Sequence, residues 1–245
     1  MPLRFDVWMH NALYDPKRGY YSRRIETVGG RGDFTTAPIL SDALAHAIGK
    51  WAYRAMQETG ARDLIEIGPG NGTLAKAVWK SLPWIRRRKT RLHLVETSAP
   101  LEKQQRELLG DKVIWHKNPA TALEACDGKA VIYSNELVDA FPCRRFEHTA
   151  GGWREIAVEF NRQGRVNEIL MDVDELPESS IFQRDFPSVQ RIEIHESYRK
   201  WLEGWLPLWK AGRMLTIDYG AEAKDLYPRQ PDGSMRAYLL QERLT

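Results

Sequence analysis

The sequence lacks most of the features that mark secreted, metal-binding and membrane-spanning proteins. Its 245 residues include only two cysteines, Cys126 and Cys143, whose spacing fits neither a disulfide scaffold nor a metal-ligand pair. The six histidines show no ligand-like pairing, so we predict no metal site. No run of about 18 apolar residues is long enough to span a membrane, and the N-terminus resembles neither a signal nor a transit peptide. These absences favour a reducing compartment, and we expect a cytoplasmic protein with free thiols.

An excess of charge of one sign is also nearly absent. The chain has 36 basic and 33 acidic residues and a net charge of +3, whereas a dedicated nucleic-acid binder usually has a larger basic excess. We therefore expect no nucleic-acid partner. The one dense basic run, RRRK at residues 86–89, is typical of a solvated turn, with phosphate binding as the alternative. Apolar residues make up 42% of the chain, which is enough for a buried core and argues against large-scale disorder.

Short apolar strands alternate with helices from residue 63 onward, a pattern that predicts an α/β fold with a parallel sheet and crossover helices. The predicted strands are Asp63–Ile67, Arg91–Glu96, Lys112–Trp115, Ala130–Ser134, Met214–Asp218 and Asp232–Tyr238. The predicted helices are Thr73–Ser81, Leu101–Leu109 and Tyr198–Trp209. Strands and helices in this order are typical of an open, Rossmann-like sheet.

Residues 144–192 interrupt that alternation. Two stretches with alternating apolar and polar residues, Trp153–Phe160 and Arg165–Val173, flank a short turn. This pattern predicts an antiparallel insertion between the fourth and fifth strands. The remaining residues, 61–143 and 193–245, are then expected to form the core domain.

The first 60 residues predict an N-terminal arm. Residues 13–21 are turn-rich, and residues 29–38 form a second glycine-rich loop. Apolar residues then recur at helical spacing, which predicts a helix capped by Ser41 and ended by Gly60.

The junction of the first strand and its helix is the strongest candidate site. The segment EIGPGNG at residues 66–72 places alternating glycines where an open α/β sheet binds cofactors, and glycine lets the backbone approach a ligand closely. The nicotinamide fingerprint G-x-G-x-x-G fits only at Gly68 and Gly70, because Thr73 occupies its third position. The pattern resembles instead the first motif of class I methyltransferases, in which Glu66 would face the cationic methionine portion of S-adenosylmethionine. A tight turn without a ligand is the alternative.

Glu96 ends the second predicted strand. An acidic residue at this place can accept hydrogen bonds from ribose hydroxyls in either cofactor class. Glu96 therefore indicates nucleoside binding but does not distinguish between the two cofactors. The alternative is that it is a solvated residue at the end of a strand.

A polar cluster follows the fourth predicted strand. Asn135, Glu136 and Asp139 are expected to lie near the transferred methyl group, because the carboxyl ends of neighbouring strands face one crevice. A guanidinium cannot be deprotonated in advance, but carboxylates can orient it and favour charge on its remote nitrogens. The alternative is a helix N-terminus with acidic residues in its first turn. Asp218 ends the fifth strand and is either a turn former or part of this site.

The motifs, taken together and in order, resemble the MidA family of S-adenosylmethionine-dependent methyltransferases over nearly the whole chain. That family includes a mitochondrial assembly factor that dimethylates an arginine of a complex I subunit. The matching segments are ALYDPKRGYYS at 12–22, GDFTTAP at 32–38, EIGPGNGTLA at 66–75, LVETSAPL at 94–101, NELVDAFPCRRF at 135–146, IDYG at 217–220 and GSMRAY at 233–238.

The resemblance implies a class I methyltransferase fold that binds S-adenosyl-L-methionine. Its cofactor-binding residues would be Glu66, Gly68, Gly70, Asn71, Gly72 and Glu96, with Asp33 and Thr36 of the early loop. Asn135, Glu136 and Asp139 would be the catalytic residues. The implied partner is a protein substrate, such as a subunit of a respiratory complex. Family members continue past the last matching segment, so we expect a fragment without the strands that complete the sheet edge.

Three functions agree with these patterns. The first is methylation of a protein arginine, and the second is methylation of another acceptor, such as a small molecule or a nucleic-acid base. The near-balanced charge argues against the nucleic-acid base. The third is a non-catalytic or weakly catalytic assembly factor that retains the cofactor fold.

Overall fold

The computed structural model describes residues 2–24, 38–163, 165–239 and 242–244. Its helices are, in chain order, α1 (Phe5–Tyr14), α2 (Pro38–Thr59), α3 (Thr73–Ser81), α4 (Trp84–Arg87), α5 (Ala99–Leu109), α6 (Pro119–Ala125), α7 (Glu196–Glu203) and α8 (Ala223–Leu226). Its strands are β1 (Leu3–Arg4), β2 (Asp63–Ile67), β3 (Arg91–Val95), β4 (Val113–His116), β5 (Ala130–Asn135), β6 (Arg144–Thr149), β7 (Gly152–Phe160), β8 (Val166–Met171), β9 (Arg191–Ile194), β10 (Met214–Ile217), β11 (Ala237–Leu239) and β12 (Glu242–Leu244).

The chain divides into two compact units, which we name by their sheets. The parallel unit comprises Pro16–Asp139 and Leu202–Asp218, and the antiparallel unit comprises Met1–Asp15, Ala140–Trp201 and Tyr219–Thr245. These bounds differ from the predicted arm, core and insertion, and that division stays a prediction. No described helix is long and apolar enough to cross a membrane.

The parallel unit contains a five-stranded sheet in the order β10-β5-β2-β3-β4, and every pair in it is parallel. The predicted α/β fold with a parallel sheet is therefore confirmed. All five residues of β2 are buried, as expected for the central strand of a sheet that is covered on both faces. The chain passes from β2 to β3 on one side and later to β5 on the other. The strand order thus reverses between β2 and β5, which is where such sheets form a ligand crevice.

The antiparallel unit contains a sheet in the order β1-β7-β6-β9, and β8 also pairs with β7, along residues 155–160. The hairpin of β7 and β8 closes around Asn161, whose side-chain oxygen accepts hydrogen bonds from the backbone N–H groups of Gln163 and Arg165. Phe146 and Ile192 are fully buried and form part of its core. The predicted antiparallel strands at residues 153–160 and 165–173 are present as β7 and β8.

One helix near the N-terminus was not predicted, and the start of another is wrong. The unpredicted helix is α1, which lies mostly before the turn-rich residues 13–21; its Phe5, Trp8 and Met9 recur at helical spacing and pack against Cys143 and Val158. The wrong prediction placed the start of a helix at Ser41. That helix, α2, begins three residues earlier at Pro38, since proline suits the first helical position.

The basic run at residues 86–89 does not form the predicted solvated turn throughout. Its first two residues belong to α4, and Arg86 donates hydrogen bonds to the backbone oxygen of Ala61 and to Met56 Sδ. These contacts hold α4 against the C-terminal end of α2 and the residues that follow it.

Two predictions for the C-terminal third are also wrong. The predicted helix Tyr198–Trp209 is only partly present, because α7 ends before Gly204, and a short 3-10 turn with Pro207 follows. The predicted strand Asp232–Tyr238 is present only as the start of β11. The residues before β11 form a turn in which the Ser234 N–H and hydroxyl both donate to Glu193 Oε2.

Candidate functional site

The loop after β2 has a backbone that requires glycine. Gly68, Gly70 and Gly72 have φ values of 68°, 55° and 84°, in the left-handed region that side chains disfavour. A Cβ atom added to Gly68 would lie 2.8 Å from Leu137 Cδ1. The loop therefore makes a close approach to the segment after β5, as expected at the point where the strand order reverses.

Side chains hold this loop in place on both sides. Asn71 Oδ1 accepts a hydrogen bond of 3.0 Å from the Thr73 N–H at the start of α3. Gln105 on α5 donates a hydrogen bond of 2.7 Å from Nε2 to the Gly70 carbonyl oxygen. The sequence prediction missed Gln105, although it is fully buried and shares the inner face of α5 with Leu101, four residues earlier.

Glu96 lies directly after β3 and is only 6% exposed. Its Oε1 accepts a hydrogen bond of 2.7 Å from the Ser98 N–H, and its Oε2 accepts one of 3.1 Å from Gln105 Nε2. Burial raises the pKa of Glu96, while these hydrogen bonds act in the opposite direction. A carboxylate has about four acceptor positions, and the Thr97 N–H also acts on this one, so acceptor capacity remains for a ligand. Gln105 thus links Glu96 to the glycine loop.

The hydroxyl of Ser98 adds an unused polar group beside Glu96. Ser98 is 4% exposed and occupies the N-cap position of α5, but its side chain does not cap the helix. Within the described part of the chain, Ser98 Oγ has no hydrogen-bond partner. A buried polar atom without a partner is costly, so this hydroxyl favours a ligand at the same place.

Glu66 is buried within β2 and is 2% exposed. Tyr133 of β5 donates a hydrogen bond of 2.6 Å to Glu66 Oε2. Burial raises the pKa of Glu66 to about 8 against the opposing effect of that hydrogen bond, and the negative charge of Glu96 raises it further. Burial and the charge of Glu96 therefore both favour the protonated form of the Glu66 carboxyl. Tyr133 was not predicted, because its partner lies 67 residues away in the sequence.

Replacing Glu66 with glutamine is expected to flatten the pH dependence of stability. The pKa of the Glu66 carboxyl rises to about 8 on folding. At any pH between its ordinary pKa and 8, folding therefore takes up a proton. Stability therefore falls as the pH rises through that window. Thermal unfolding at about pH 5, 6.5 and 8 should show a smaller fall in Tm for Glu66→Gln than for the wild type. The exposed Glu107→Gln variant is the control, and equal slopes in all three proteins would contradict the expectation.

The polar cluster after β5 lies at the same edge of the sheet. Glu136 has a φ of 48°, which is uncommon for a residue with a side chain, and its N–H donates to the Ile217 carbonyl oxygen at 2.9 Å. Asp218 Oδ2 accepts a hydrogen bond of 2.8 Å from the Val138 N–H. Asp218 therefore fixes the backbone of the cluster through a long-range hydrogen bond, and its interpretation as a turn former stays a prediction.

The carboxyl groups of this cluster influence one another. Burial raises the pKa of Glu136, and the negative charges of Asp139 and Asp218 raise it further, whereas a hydrogen bond with Asn135 lowers it. Only a three-residue 3-10 helix, Val138–Ala140, follows, so the alternative of a helix N-terminus has little support. The cluster is suited to bind a cationic group and to accept a proton from it.

The Tyr21 hydroxyl is influenced by carboxylates from both halves of the site. Burial raises the pKa of Tyr21 to about 12, and the negative charges of Asp139 and Glu96 raise it further. Its hydroxyl group therefore lies within the electrostatic influence of a predicted catalytic residue and a predicted cofactor-binding residue. The sequence prediction placed Tyr21 in a turn-rich arm, and the paired tyrosines at residues 20 and 21 were the only available signal.

The structure brings most of the predicted site residues to one edge of the parallel sheet. These are Glu66, Gly68, Gly70, Asn71, Gly72, Glu96, Asn135, Glu136 and Asp139. Asp33 and Thr36 lie outside the described residues, and their predicted roles stay predictions. In the described ranges, no group of three or more His, Cys, Asp or Glu residues is placed to hold a metal ion.

Comparison with known proteins places these motifs in a family. The family model described as "Putative S-adenosyl-L-methionine-dependent methyltransferase" matches residues 47–244. The mitochondrial protein arginine methyltransferase NDUFAF7 of Danio rerio is 26% identical over 79% of this chain and 52% of its own length. The same protein of Homo sapiens is 28% identical over 66% of this chain and 43% of its own length.

A solved structure has the same fold. A protein of Burkholderia thailandensis, crystallised with S-adenosyl-homocysteine bound, superposes with a TM-score of 0.83 at 25% identity. The match covers 96% of this chain and 63% of that protein. The chain spans about half the length of the curated relatives that it matches.

Proposed function

We propose that this chain, which belongs to the family of S-adenosyl-L-methionine-dependent methyltransferases, methylates an arginine side chain of a protein. The observation that carries the proposal is the linked arrangement of Glu96, Gln105 and the glycine loop where the strand order reverses. This arrangement combines a buried acceptor for ribose hydroxyls with a backbone that a ligand can approach closely.

The residues of the site fit S-adenosyl-L-methionine. Glu96 has acceptor positions left for ribose hydroxyls, and Ser98 Oγ supplies a polar atom that has no described partner. The positive φ and the close contact with Leu137 require glycine at position 68 and fix the course of the loop beside the segment after β5. When bound, the cofactor supplies an electrophilic methyl group. The role of this chain is then to hold and orient both reactants, since alignment at close range provides most of the acceleration.

The acidic cluster fits a guanidinium acceptor. Carboxylates bind a guanidinium through paired, charge-assisted hydrogen bonds, so Glu136 and Asp139 can hold its remote nitrogens. The attacking nitrogen loses a proton as its bond to carbon forms. Glu136, whose pKa is raised, is suited to accept that proton. The names of the curated relatives, which are protein arginine methyltransferases, support this acceptor.

Labelling with a methyl-labelled cofactor tests the acceptor. The protein is incubated with the labelled cofactor and a cell lysate, and labelled peptides are identified by mass spectrometry. We expect methylated arginine in a small set of proteins and its loss with the double variant Glu136→Gln, Asp139→Asn. Label found only in metabolites, lipids or RNA would refute the arginine assignment. Cofactor binding without any transferred label would favour a non-catalytic assembly factor.

A further inference from the structure

A second concave surface lies at the opposite edge of the parallel sheet, near the amino ends of β3 and β4. It is a groove of about 430 Å³, which we call the basic groove. Its charged lining residues are Lys76 and Lys80 on α3, Arg87 on α4 and Lys112 before β4. Its remaining lining residues are apolar and include Trp79. The groove thus combines a cationic rim with an apolar floor, which suits an anionic ligand that also has an apolar part.

No carboxylate is among the described residues that line the basic groove, although Asp42 lines an adjoining depression with Lys76 and Lys80. Glu107 and Asp111 are exposed and belong to the same segments, but neither lines the groove. The chain as a whole has a net charge of only +3. The concentration of cationic side chains here is therefore a local feature and not a consequence of the overall composition.

Next to the groove, α4 presents two large apolar side chains to solvent. Trp84 is 61% exposed and Ile85 is 57% exposed. Arg87 Nη1 donates a hydrogen bond of 3.3 Å to the Lys80 carbonyl oxygen, which joins α4 to the rim of the groove. The guanidinium of Arg88 lies 5.9 Å from the centroid of the Trp84 ring. The apolar pair is thus exposed directly beside a basic run.

We propose that the basic groove and the segment 84–89 together bind the surface of a membrane that contains anionic phospholipids. Tryptophan beside basic residues is typical of the membrane interface, where its ring lies at the level of the headgroups. Lys80 and Lys112 would pair with lipid phosphates, and Trp84 and Ile85 would insert among the first carbons of the acyl chains. Each basic residue near an anionic surface contributes about 1 kcal/mol to binding.

A membrane surface explains these observations better than a nucleic acid does. Ile85 has no aromatic ring that could stack on a base. The apolar side chains on the floor of the groove would also make no favourable contact with a sugar–phosphate backbone. An acidic protein segment with an apolar side chain is the competing partner, and the experiment must separate it from a lipid surface.

Sedimentation with vesicles tests the proposal. We expect the protein to bind phosphatidylcholine vesicles that contain about a third phosphatidylglycerol, and not to bind pure phosphatidylcholine. Added salt should weaken binding, because the lipid charges are screened. The variant Lys80→Gln, Lys112→Gln should bind about 25-fold more weakly, at about fivefold for each charge. The variant Trp84→Ser, Ile85→Ser should bind at least about tenfold more weakly.

The matched control is Lys50→Gln, Lys103→Gln, which removes two exposed lysines outside the groove and should bind like the wild type. Every variant should also retain its affinity for S-adenosyl-homocysteine, so failure here is distinguishable from failure of the proposed methyltransferase function. Equal binding to both kinds of vesicle, or equal loss in the control, would overturn the proposal. Binding to a poly-glutamate peptide but not to vesicles, lost in the same variants, would assign the surface to an acidic protein.

Discussion

Replacing Glu96 with glutamine is expected to weaken the binding of S-adenosyl-homocysteine by about 100-fold. A hydrogen bond to a charged acceptor contributes about 1.5–3 kcal/mol, and loss of the charge affects both ribose hydroxyls. The new amide also places an NH₂ group opposite a donor, either the Ser98 N–H or Gln105 Nε2. Gln105 cannot rotate to relieve this contact without losing its bonds to the Gly70 carbonyl oxygen and to Trp115 Nε1. This contact is present with and without the ligand, so it lowers the stability of the protein and not its affinity. The loss of two charge-assisted hydrogen bonds to the ligand costs at least about 3 kcal/mol, which corresponds to about 100-fold in affinity.

Isothermal titration calorimetry of the two proteins measures this effect. Glu107→Gln, an exposed substitution on the same helix as Gln105, is the control and should retain wild-type affinity. Thermal unfolding of each variant shows whether the fold is intact. An affinity for S-adenosyl-homocysteine that is unchanged in Glu96→Gln would show that the cofactor does not bind at this carboxylate.

Replacing both Glu136 and Asp139, by glutamine and asparagine respectively, is expected to lower the rate of methyl transfer by at least about 100-fold. The substitutions remove the charges that orient a guanidinium and the group that accepts its proton. Loss of a positioned acid or base typically costs a factor of about 10² to 10⁴. The affinity for S-adenosyl-homocysteine should change little, because the hydrogen bonds of Glu96 and Gln105 remain.

Single-turnover transfer of a labelled methyl group to the peptide identified by mass spectrometry measures that rate. Asp127→Asn, an exposed substitution in the turn after α6, is the control and should transfer at the wild-type rate. Full transfer by the double variant would show that neither carboxylate takes part. The reaction would then depend on positioning by other groups.

The central part of the fold follows from local patterns in the sequence. The buried run of β2 and the glycines after it predict both the strand and the start of α3, and both have the predicted bounds. The place of Glu96 follows from the end of the next strand in the same way. These predictions succeed because a buried parallel strand is a short apolar run that ends where the backbone must turn.

The contacts that assemble the site do not follow from local patterns. Glutamine is usually found on the exposed face of a helix, and only the packing of α5 shows that Gln105 is fully buried. Tyr133 is separated from Glu66 by 67 residues, so no local pattern indicates their hydrogen bond. The apolar spacing of α1 is a local signal that was missed, but the burial of Phe5 by Val158, far along the chain, does not follow from that spacing. Tertiary packing decides each of these features.

The most direct measurement is a set of calorimetric titrations of the wild-type protein with S-adenosyl-L-methionine, S-adenosyl-homocysteine and NAD. If the loop at residues 66–72 and Glu96 form a methyltransferase cofactor site, the first two ligands bind at a single site and NAD does not bind. Gly68→Val, which would place a side chain against Leu137, should abolish that binding while the protein still unfolds cooperatively. Binding of NAD alone, or binding of S-adenosyl-homocysteine that Gly68→Val leaves unchanged, would contradict the assignment of this crevice.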